Sequence, residues 1–499
     1  MRRVSRMKQM PALVLALLIA PVFISTAHAD LPADVQSVLR NKLLQKGEVS
    51  IEMIRLGASP SDAREIYKEN PTLPLAPASN LKLITTSAAL DHFGADFKFR
   101  TYFVLHDGNA IIWGDGDPAL GDAEILRRVG WDVTTVFQSW ATQLKQRNIT
   151  SVRNVVVDDS VFDQNFLHPN WPADQIHKRY EAEVGGVNLN ANCLDFYVKT
   201  TSPGELVTYT MNPPAGFITV KNTCVSGRDN AIWLSRMPGD NDIILRGQTN
   251  ASNEVPVSVT ITDPPIFAAN VLAETLKAGG VAVSGQVTRN RQSKSDYLAA
   301  SDAEKKNWTL LAVHETPLPV VLARCNKDSM NLYAESLCKR LGHDLSHLPG
   351  SWDNGTAAIG AFLKGLGVAD AEFHLVDGSG LSKQNTISSH AITQVLRHNF
   401  YSKNKDVFLA SLSVAGEDGT LSDRFRGTDL RGRVFGKSGY ISGVSSLSGY
   451  LKTRDNNWYV FSILMNGVPP GSNSGAKALQ ESIVKALDAH AEGKLAGTR

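Results

Sequence analysis

A long run of short strands interrupts a chain whose two ends combine helix and strand. From about residue 97 to 296, segments such as "VRNVVVDDSVF" and "VPVSVTIT" are separated by Gly, Pro, Asn and Asp, and only residues 264–280 form a clear helical pattern. Outside this block, strands accompany amphipathic helices, the last at about 476–490. A chain of 499 residues is too long for one ordinary domain. The pattern predicts an α/β domain split by a β-rich insertion.

The N-terminus has the pattern of a signal peptide. Four basic residues precede an apolar stretch at 12–24, which is too short to span a bilayer and is interrupted by Pro21. Ala27-His28-Ala29 is a small-x-small cleavage site. We expect cleavage after Ala29, a mature chain outside the cytoplasm and no stable transmembrane anchor. An uncleaved anchor helix is the alternative.

Charge and cysteine usage narrow the possible partners. The net charge is only +2, so nothing favours a nucleic-acid partner. Acidic turns such as "GDGDPALGD" lack the ligand spacing of a calcium loop, and no zinc spacing occurs, so no metal is predicted. Export permits disulfides. Cys193 and Cys224 lie in strand-like stretches and are the favoured pair, whereas Cys338 is expected to be a buried free thiol in a helix.

A Ser-x-x-Lys tetrad is the first candidate for chemistry. The chain has six such matches, so one alone means little. Ser79 and Lys82 stand out because a proline-rich loop precedes them and a helical pattern ending near Gly94 follows. Positions i and i+3 share a helix face, so the two side chains can meet. A helix N-terminus also offers backbone N–H groups to a developing oxyanion.

Two further motifs follow in the order that this chemistry requires. A Ser-x-x-Lys nucleophile is expected to be followed by Ser-x-Asn and then by Lys-[Ser/Thr]-Gly. Ser329 and Asn331 form one of two Ser-x-Asn matches and precede a helical pattern; the other begins at Ser402 in a lysine-rich stretch typical of a surface loop. Lys437-Ser438-Gly439 is the single match to the third motif and lies in a predicted strand.

Other catalytic motifs do not fit this chain. "GKSG" is not a phosphate-binding loop, because the upstream glycine, Gly432, is one residue too close and a strand follows. His314-Glu315 has no second histidine at the spacing of a zinc protease. The chain contains no Gly-x-Ser-x-Gly elbow, which argues against an α/β-hydrolase. The ordered set therefore favours Ser79 as a nucleophile.

In these motifs the chain resembles the low-molecular-mass class C penicillin-binding proteins. These are D-alanyl-D-alanine carboxypeptidase/endopeptidases of the penicillin-binding protein 4 type. The segments "PLAPASNLKLITTSAAL", "KDSMNLYAESL", "DGSGLS", "VAGEDGTL" and "GKSGY" look like their markers, and "GDGDPAL" and "NLNANC" resemble markers of their inserted region. The likeness covers nearly all of the mature chain. Asp377 and Asp418 lie in Gly-rich turns of two of these segments, and a structural role is expected for both.

The resemblance implies a fold and a division of the chain. The fold is a penicillin-recognising domain of the serine β-lactamase/transpeptidase type, an antiparallel sheet with flanking helices, interrupted by two β-rich domains nested one inside the other. The predicted boundaries are a signal peptide at 1–29, catalytic segments at 30–96 and 297–499, and the insertion at 97–296.

The resemblance also implies a role for each motif residue. Lys82, neutral in a crowded cationic site, takes the proton of Ser79, and Lys437 helps to lower the pKa of Lys82. Ser329 relays a proton to the leaving amine, and Asn331 holds the peptide carbonyl. In the third motif, Ser438 binds the terminal carboxylate and Gly439 leads to the oxyanion hole. The backbone N–H groups of Ser79 and Tyr440 form that hole.

Two residues depart from the usual pattern of the family. Ser438 stands where threonine is common, but the hydroxyl is kept, so little change is expected. Tyr440 replaces a usually smaller residue, and its ring is expected to narrow the pocket.

The implied substrates are peptidoglycan stem peptides ending in D-Ala-D-Ala and D,D-cross-links, in the periplasm, with β-lactam antibiotics as acylating ligands and no cofactor. A β-lactamase, a non-catalytic β-lactam sensor and a wall-binding scaffold remain alternatives, because no residue in the sequence separates fast from slow deacylation.

Overall fold

The computed structural model describes residues 30–493, so the predicted signal peptide lies outside the described residues. The strands in chain order are β1 (Glu48–Leu56), β2 (Arg64–Glu69), β3 (Lys98–His106), β4 (Asn109–Trp113), β5 (Ser151–Val152), β6 (Val155–Asp158), β7 (Cys193–Lys199), β8 (Thr208–Asn212), β9 (Val220–Asn222), β10 (Val225–Ser226), β11 (Ala231–Arg236), β12 (Ile243–Thr249), β13 (Val257–Thr260), β14 (Ala282–Val283), β15 (Val287–Arg289), β16 (Trp308–Pro317), β17 (Phe373–His374), β18 (Thr386–Ile387), β19 (Ser413–Val414), β20 (Val434–Ile441), β21 (Val444–Lys452) and β22 (Trp458–Asn466).

The α-helices in chain order are α1 (Leu31–Leu39), α2 (Leu81–Phe93), α3 (Ala123–Arg127), α4 (Thr135–Gln146), α5 (Pro264–Ala278), α6 (Ser293–Ala299), α7 (Asp302–Lys305), α8 (Leu318–Lys327), α9 (Asn331–Ser346), α10 (Trp352–Gly365), α11 (Ser389–Tyr401), α12 (Lys405–Ser411) and α13 (Asn473–Ala491). None of the helices within residues 30–493 is both long enough and apolar enough to cross a membrane.

The two ends of the chain build one antiparallel sheet. Its strand order is β19-β20-β21-β22-β1-β2. The early strand β1 pairs with the late strand β22 along its whole length, from Glu48 opposite Asn466 to Leu56 opposite Trp458. The intervening chain therefore leaves this sheet and returns to it. This confirms the predicted α/β class with an antiparallel sheet at its centre.

Helices cover both faces of this sheet, because successive strand residues point to opposite sides. On β22, Phe461 and Ile463 face a core shared with α1 and α13. Val460 and Leu464, which alternate with them, face a second core built with α2, α8, α9 and α11. The start of α2, where the predicted nucleophile lies, therefore meets the sheet on this second face.

The interrupting region has its own sheets and core. A five-stranded sheet has the order β15-β6-β4-β3-β16. Two smaller sheets have the orders β13-β7-β8 and β10-β12-β11, and β9 pairs with β12 in the second of them. The strands of both smaller sheets lie between β6 and β15 in the chain. Residues from all of these sheets share one apolar core, for example Phe103, Phe196 and Leu245. This order is the one that an insertion within an insertion would produce, and the division into two nested domains stays a prediction.

One strand pairing bears on the predicted boundary of the insertion at 296, which stays a prediction. Strand β16 pairs with β3 from Trp308 opposite His106 to Pro317 opposite Lys98, so the inserted sheet includes residues after 296. The helical sequence of α6 and α7 just before β16 resembles the catalytic segments, so the sequence alone does not indicate this long-range pairing. We therefore propose that the chain returns to the catalytic domain at Leu318, where α8 begins.

Three helices that begin within 97–296, α3, α4 and α6, were not predicted, and α4 is the longest of them. Helix α4 (Thr135–Gln146) packs in the inserted core, with Trp140 stacked on Phe103 at 4.7 Å between ring centroids. Its first turn, Thr-Val-Phe, has weak helix propensity. Tertiary packing rather than local preference therefore decides this helix. The helix predicted at 264–280 is present as α5 (Pro264–Ala278), but it is not the single helix of the block.

The predicted Cys193–Cys224 disulfide is also wrong for this structure, since both thiols are buried and free. Cys193 begins β7, which pairs with β8 and β13, whereas Cys224 lies between β9 and β10 of the other small sheet. Strand-like sequence around each cysteine could not reveal that the two belong to different sheets. Cys338 is a buried free thiol in α9, as predicted.

An acidic turn ties the insertion to the catalytic helices. Asp122 caps α3 and accepts from the Arg324 guanidinium of α8 at 2.8 Å and from the Tyr333 hydroxyl of α9 at 2.6 Å. Asp117 accepts from the Thr316 hydroxyl of β16 at 2.6 Å. The bonds of Asp122 hold the insertion against α8 and α9, the two helices that flank Ser329, whereas the bond of Asp117 reaches β16 of the inserted sheet.

Candidate active site

Ser79 lies in a single 3₁₀ turn, Ala78–Asn80, that leads directly into α2. The Asn80 amide donates to the Ser448 hydroxyl of β21 at 2.8 Å, and the Ser446 hydroxyl donates to the Pro77 carbonyl at 2.7 Å. The turn is thus pinned to the sheet on both sides of the serine. Ala78 has a φ of 47°, a sparsely populated conformation that the surrounding contacts maintain.

Lys82 is completely buried one turn later and contacts three oxygens. Its Nζ lies 3.0 Å from Ser79 Oγ, 2.6 Å from Asn331 Oδ1 and 2.9 Å from the Ser379 carbonyl oxygen. The last two atoms can only accept hydrogen bonds, whereas a hydroxyl can donate or accept. A neutral amine has two N–H groups for the two acceptors and keeps its lone pair for the Ser79 hydroxyl. The geometry therefore suits an amine that takes a proton from Ser79.

Burial also favours the neutral amine. It lowers the pKa of Lys82 from 10.5 to about 8, although the nearby carboxylates Glu335 and Asp377 oppose the shift. A base with a pKa near neutrality can accept a proton and release it again. The burial of Lys82 therefore contributes to packing and also makes its amine a better match for a proton acceptor near neutral pH.

Asn331 links the catalytic helices to the insertion. It is the first residue of α9, and its Oδ1 accepts from Lys82 while its Nδ2 donates to the Tyr180 carbonyl at 2.8 Å. Tyr180 belongs to a 3₁₀ turn, Arg179–Glu181, within the insertion. Tyr180 was not predicted as part of the site, and no local signal marks it, because the contact spans 151 residues.

Ser329 is placed near this group but does not bond to it. It has a φ of 58° just before α9, and its side chain is half-buried. Within residues 30–493, its hydroxyl has no hydrogen-bond partner. The structure therefore brings Ser79, Lys82 and Asn331 together directly and leaves the Ser329 hydroxyl free to rotate.

The Lys-Ser-Gly motif lies on β20, against the Ser79 turn. A Cβ atom on Gly439 would lie 2.9 Å from the Ser79 backbone nitrogen and 2.8 Å from the Pro77 carbonyl oxygen. Only glycine permits this close approach of strand and turn. Tyr440 follows with about half of its side chain exposed, and it lines a cavity of about 280 Å³ together with Ser438.

Lys437 is a second fully buried lysine, and its Nζ donates to the Ser438 carbonyl at 2.7 Å. Burial, followed by repulsion from the Lys82 charge, lowers the pKa of Lys437 well below its ordinary value. The predicted repulsion between the two lysines is present, but it is secondary to burial and acts chiefly on Lys437.

A buried carboxylate behind Lys82 was not predicted. Glu335 accepts from the backbone N–H groups of Gly378 and Ser379 at 2.8 Å each, and it therefore holds the peptide whose carbonyl meets Lys82. Burial, and then the charge of Asp377, raises the pKa of Glu335 to about 7. The sequence contained one signal for Glu335: it follows Asn331 by four residues and therefore lies on the same helix face.

Asp377 has the structural role that was predicted. It accepts from the backbone N–H groups of Gly380 at 2.7 Å and Ser382 at 2.8 Å, and from the Trp171 indole of the insertion at 3.1 Å. These bonds close the turn that presents the Ser379 carbonyl. Asp418 likewise accepts from the Val414 backbone N–H at 2.8 Å and pairs with Lys327.

In this site a buried lysine, and not an imidazole, lies beside the serine, at the start of a helix that meets an antiparallel sheet. This arrangement defines the class of penicillin-recognising serine peptidases. The sequence matches the D-Ala-D-Ala carboxypeptidase 3 (S13) family over residues 24–490. The chain belongs to this family of low-molecular-mass class C penicillin-binding proteins, and it is a serine-type D-Ala-D-Ala carboxypeptidase.

Individual relatives agree with this assignment over nearly the whole chain. A D-alanyl-D-alanine carboxypeptidase from an Actinomadura species is 28% identical over 520 residues, which cover 98% of this chain and 91% of the relative. Penicillin-binding protein 4 from Haemophilus influenzae has a similar fold, with a TM-score of 0.72, 23% identity and coverage of 91% and 99%. Its complex with a novel β-lactam gives a TM-score of 0.68 at 22% identity, with coverage of 93% and 100%.

Proposed function

We propose that the mature chain is an exported, periplasmic D,D-peptidase that cleaves peptidoglycan stem peptides through an acyl-enzyme on Ser79. The observation that carries this proposal is the position of the Lys82 amine, fully buried and 3.0 Å from Ser79 Oγ, with both of its N–H groups matched to acceptors. A nucleophilic serine needs an adjacent base that can take its proton, and this amine meets that need.

The reaction begins with attack of Ser79 Oγ on the carbonyl carbon between the two terminal D-alanines. Lys82 Nζ takes the hydroxyl proton as the new C–O bond forms. The developing oxyanion accepts from the backbone N–H groups of Ser79 and Tyr440, a role supported by the close approach of Gly439 to the Ser79 nitrogen.

Collapse of this intermediate breaks the peptide C–N bond. The proton passes from Lys82 through the Ser329 hydroxyl to the amine of the departing D-alanine. The unpartnered, half-buried state of that hydroxyl supports this relay, since it is free to reorient. Water then hydrolyses the ester and restores Ser79.

Substrate binding follows from the polar groups that remain. Asn331 bonds to Lys82 and Tyr180, so its amide is rigidly placed to meet the substrate's peptide carbonyl. Ser438 lines the cavity beside β20 and is the candidate for the terminal carboxylate. A D,D-cross-link presents the same bond with a longer leaving group, so endopeptidase activity is part of the proposal.

Penicillin labelling tests the nucleophile. After incubation of the mature chain with benzylpenicillin, the intact mass should rise by one adduct, and peptide mapping should locate it on Ser79. Ser79→Ala should lose the adduct. The matched control is Ser402→Ala, since Ser402 begins another Ser-x-x-Lys match and its hydroxyl bonds only within its own loop, to Asn399 and Asn404. An adduct on a different serine would refute the assignment.

Product analysis separates the alternative functions. Steady-state release of D-alanine from a peptide ending in D-Ala-D-Ala is expected from the wild type. Labelling without D-alanine release would indicate a β-lactam sensor, and rapid turnover of penicillin would indicate a β-lactamase. Release of cross-linked dimers as monomers from isolated peptidoglycan would establish the endopeptidase activity.

A further inference from the structure

A groove in the insertion is lined by none of the three motifs' residues. It encloses about 400 Å³ and is lined on its apolar sides by Trp131, Val255 and Pro256. Trp131 is 55% exposed and Val255 is 80% exposed. Large apolar side chains that gather in one exposed concave place mark binding sites more often than scattered ones do.

The tryptophan is exposed but its backbone is held. The Trp131 N–H donates to the Leu126 carbonyl at 3.0 Å, and the following Asp132 N–H donates to the Thr135 hydroxyl at 2.9 Å. Gly130 supplies the φ of 72° that this tight turn requires. An aromatic ring on a rigid loop can contact a ligand with little loss of conformational entropy.

The two arginines of the groove are paired within the protein, and its Asp132 carboxylate accepts from the Val133 N–H at 2.6 Å. Arg127 pairs with Glu124. Arg179 donates to Asp195 at 3.0 Å, and Asp195 is almost fully buried. A groove whose arginines are both engaged offers no free cation to an anionic ligand, so it favours a ligand without charge at the points of contact.

Two uncharged polar groups in the groove lack partners. Asn212 Oδ1 is buried without a hydrogen bond. The Tyr197 hydroxyl also bonds to no other group in residues 30–493. Hydroxyl and amide groups beside an aromatic face match a sugar ring, which has C–H groups on its faces and hydroxyl or acetamide groups at its edge.

One turn of the chain links the groove to the residues around Ser79. Arg179 lines it, and the next residue, Tyr180, accepts through its carbonyl from the Asn331 amide that also contacts Lys82. A stem peptide that enters the Ser79 site is joined at its other end to a glycan strand, so an extended substrate brings sugar to this part of the molecule.

We propose that this groove binds the N-acetylated glycan strand of peptidoglycan and stacks a sugar ring on Trp131. The inference rests on the proposed function, because it assigns a further part of the same substrate. It predicts a preference for peptides that are still attached to the glycan, with the sugar held in the insertion while the peptide terminus reaches Ser79.

The test compares two substrates that share one peptide. The mature full-length chain is assayed for D-alanine release from a free pentapeptide ending in D-Ala-D-Ala and from the same pentapeptide linked to an N-acetylated tetrasaccharide. Trp131→Ala should lower kcat/KM for the linked substrate by about tenfold, as expected for loss of one aromatic contact, and leave the free peptide unchanged. Val255→Asp should show the same pattern.

The matched control is Trp233→Ala, since Trp233 is 51% exposed in β11 but does not line the groove. It should leave both substrates unaffected. Equal kcat/KM for linked and free substrates in the wild type, or an equal loss on both in Trp131→Ala, would overturn the inference. If the wild type instead releases no D-alanine from the free peptide and takes no penicillin adduct, the proposed function has failed rather than the groove.

Discussion

Penicillin acylation should depend on pH through the Lys82 amine. The pKa of this group falls from 10.5 to about 8 because the amine is removed from water. Below that pKa the amine is protonated and cannot accept the Ser79 proton. Acylation should therefore increase as pH rises through about 8 and level off above it.

The size of the effect follows from the fraction of neutral amine. With a pKa of about 8, roughly a tenth of Lys82 is neutral at pH 7 and about nine tenths at pH 9, so acylation should rise about tenfold. With an unshifted pKa of 10.5, the neutral fraction at pH 7 would be about 300-fold smaller than in this site. Burial of the lysine therefore raises the fraction of amine that can accept the Ser79 proton at neutral pH.

The measurement is the second-order rate constant of acylation by benzylpenicillin from pH 6 to 9, since that constant reports the free enzyme. Lys82→Arg keeps the charge but holds its proton throughout this range, so acylation should be lost at every pH. Lys327→Arg is the matched control, because it replaces a lysine that pairs with Asp418 outside the Ser79 contacts, and its profile should match the wild type.

Two results would refute this reasoning. A flat profile between pH 6 and 9 would mean that the ionisation of Lys82 does not limit acylation. Near-normal acylation by a folded Lys82→Arg protein would remove this lysine from the role of base, whatever its pKa.

Three further changes test other parts of the structure. Gly439→Ala should slow acylation at least about 100-fold, because its Cβ would lie 2.8 Å from the Pro77 oxygen; Gly365→Ala, where no atom lies within 4 Å, is the control and should leave the rate unchanged. Glu335→Gln should lower the free energy of unfolding by about 1–3 kcal/mol in urea denaturation, since one buried N–H loses its acceptor, while the exposed Glu205→Gln should not; equal stability of the two would contradict the role of Glu335. Alkylation after denaturation without reductant should modify all four cysteines, and protection of two of them would restore the disulfide.

The sequence alone determined the catalytic class and the broad fold. Ser79 lies in the 3₁₀ turn that leads into α2 and Lys82 in the first turn of α2, so their spacing of three residues was enough to predict their contact. The order of the three motifs and the strand patterns at both ends identified the family and the α/β layer. These features are local, or depend only on their order along the chain, and can therefore be read without coordinates.

Tertiary structure decided what depends on pairing between distant segments. The strand at 308–317 resembles catalytic-domain sequence until its pairing with 98–106 is known. Cys193 and Cys224 each lie in strand-like sequence, and only the sheet topology separates them. The contact of Tyr180 with Asn331 has no local pattern at all.

The lowered pKa of Lys82 belongs to the same group of properties. A lysine in the sequence is a cation with an ordinary pKa near 10.5. A larger neutral fraction near neutral pH requires that the surrounding residues exclude water from the amine, and that the two N–H groups of the neutral form meet the oxygens of Asn331 and Ser379. The motif predicts which residues react, while the packing around them decides their protonation state, because desolvation depends on everything that surrounds a residue.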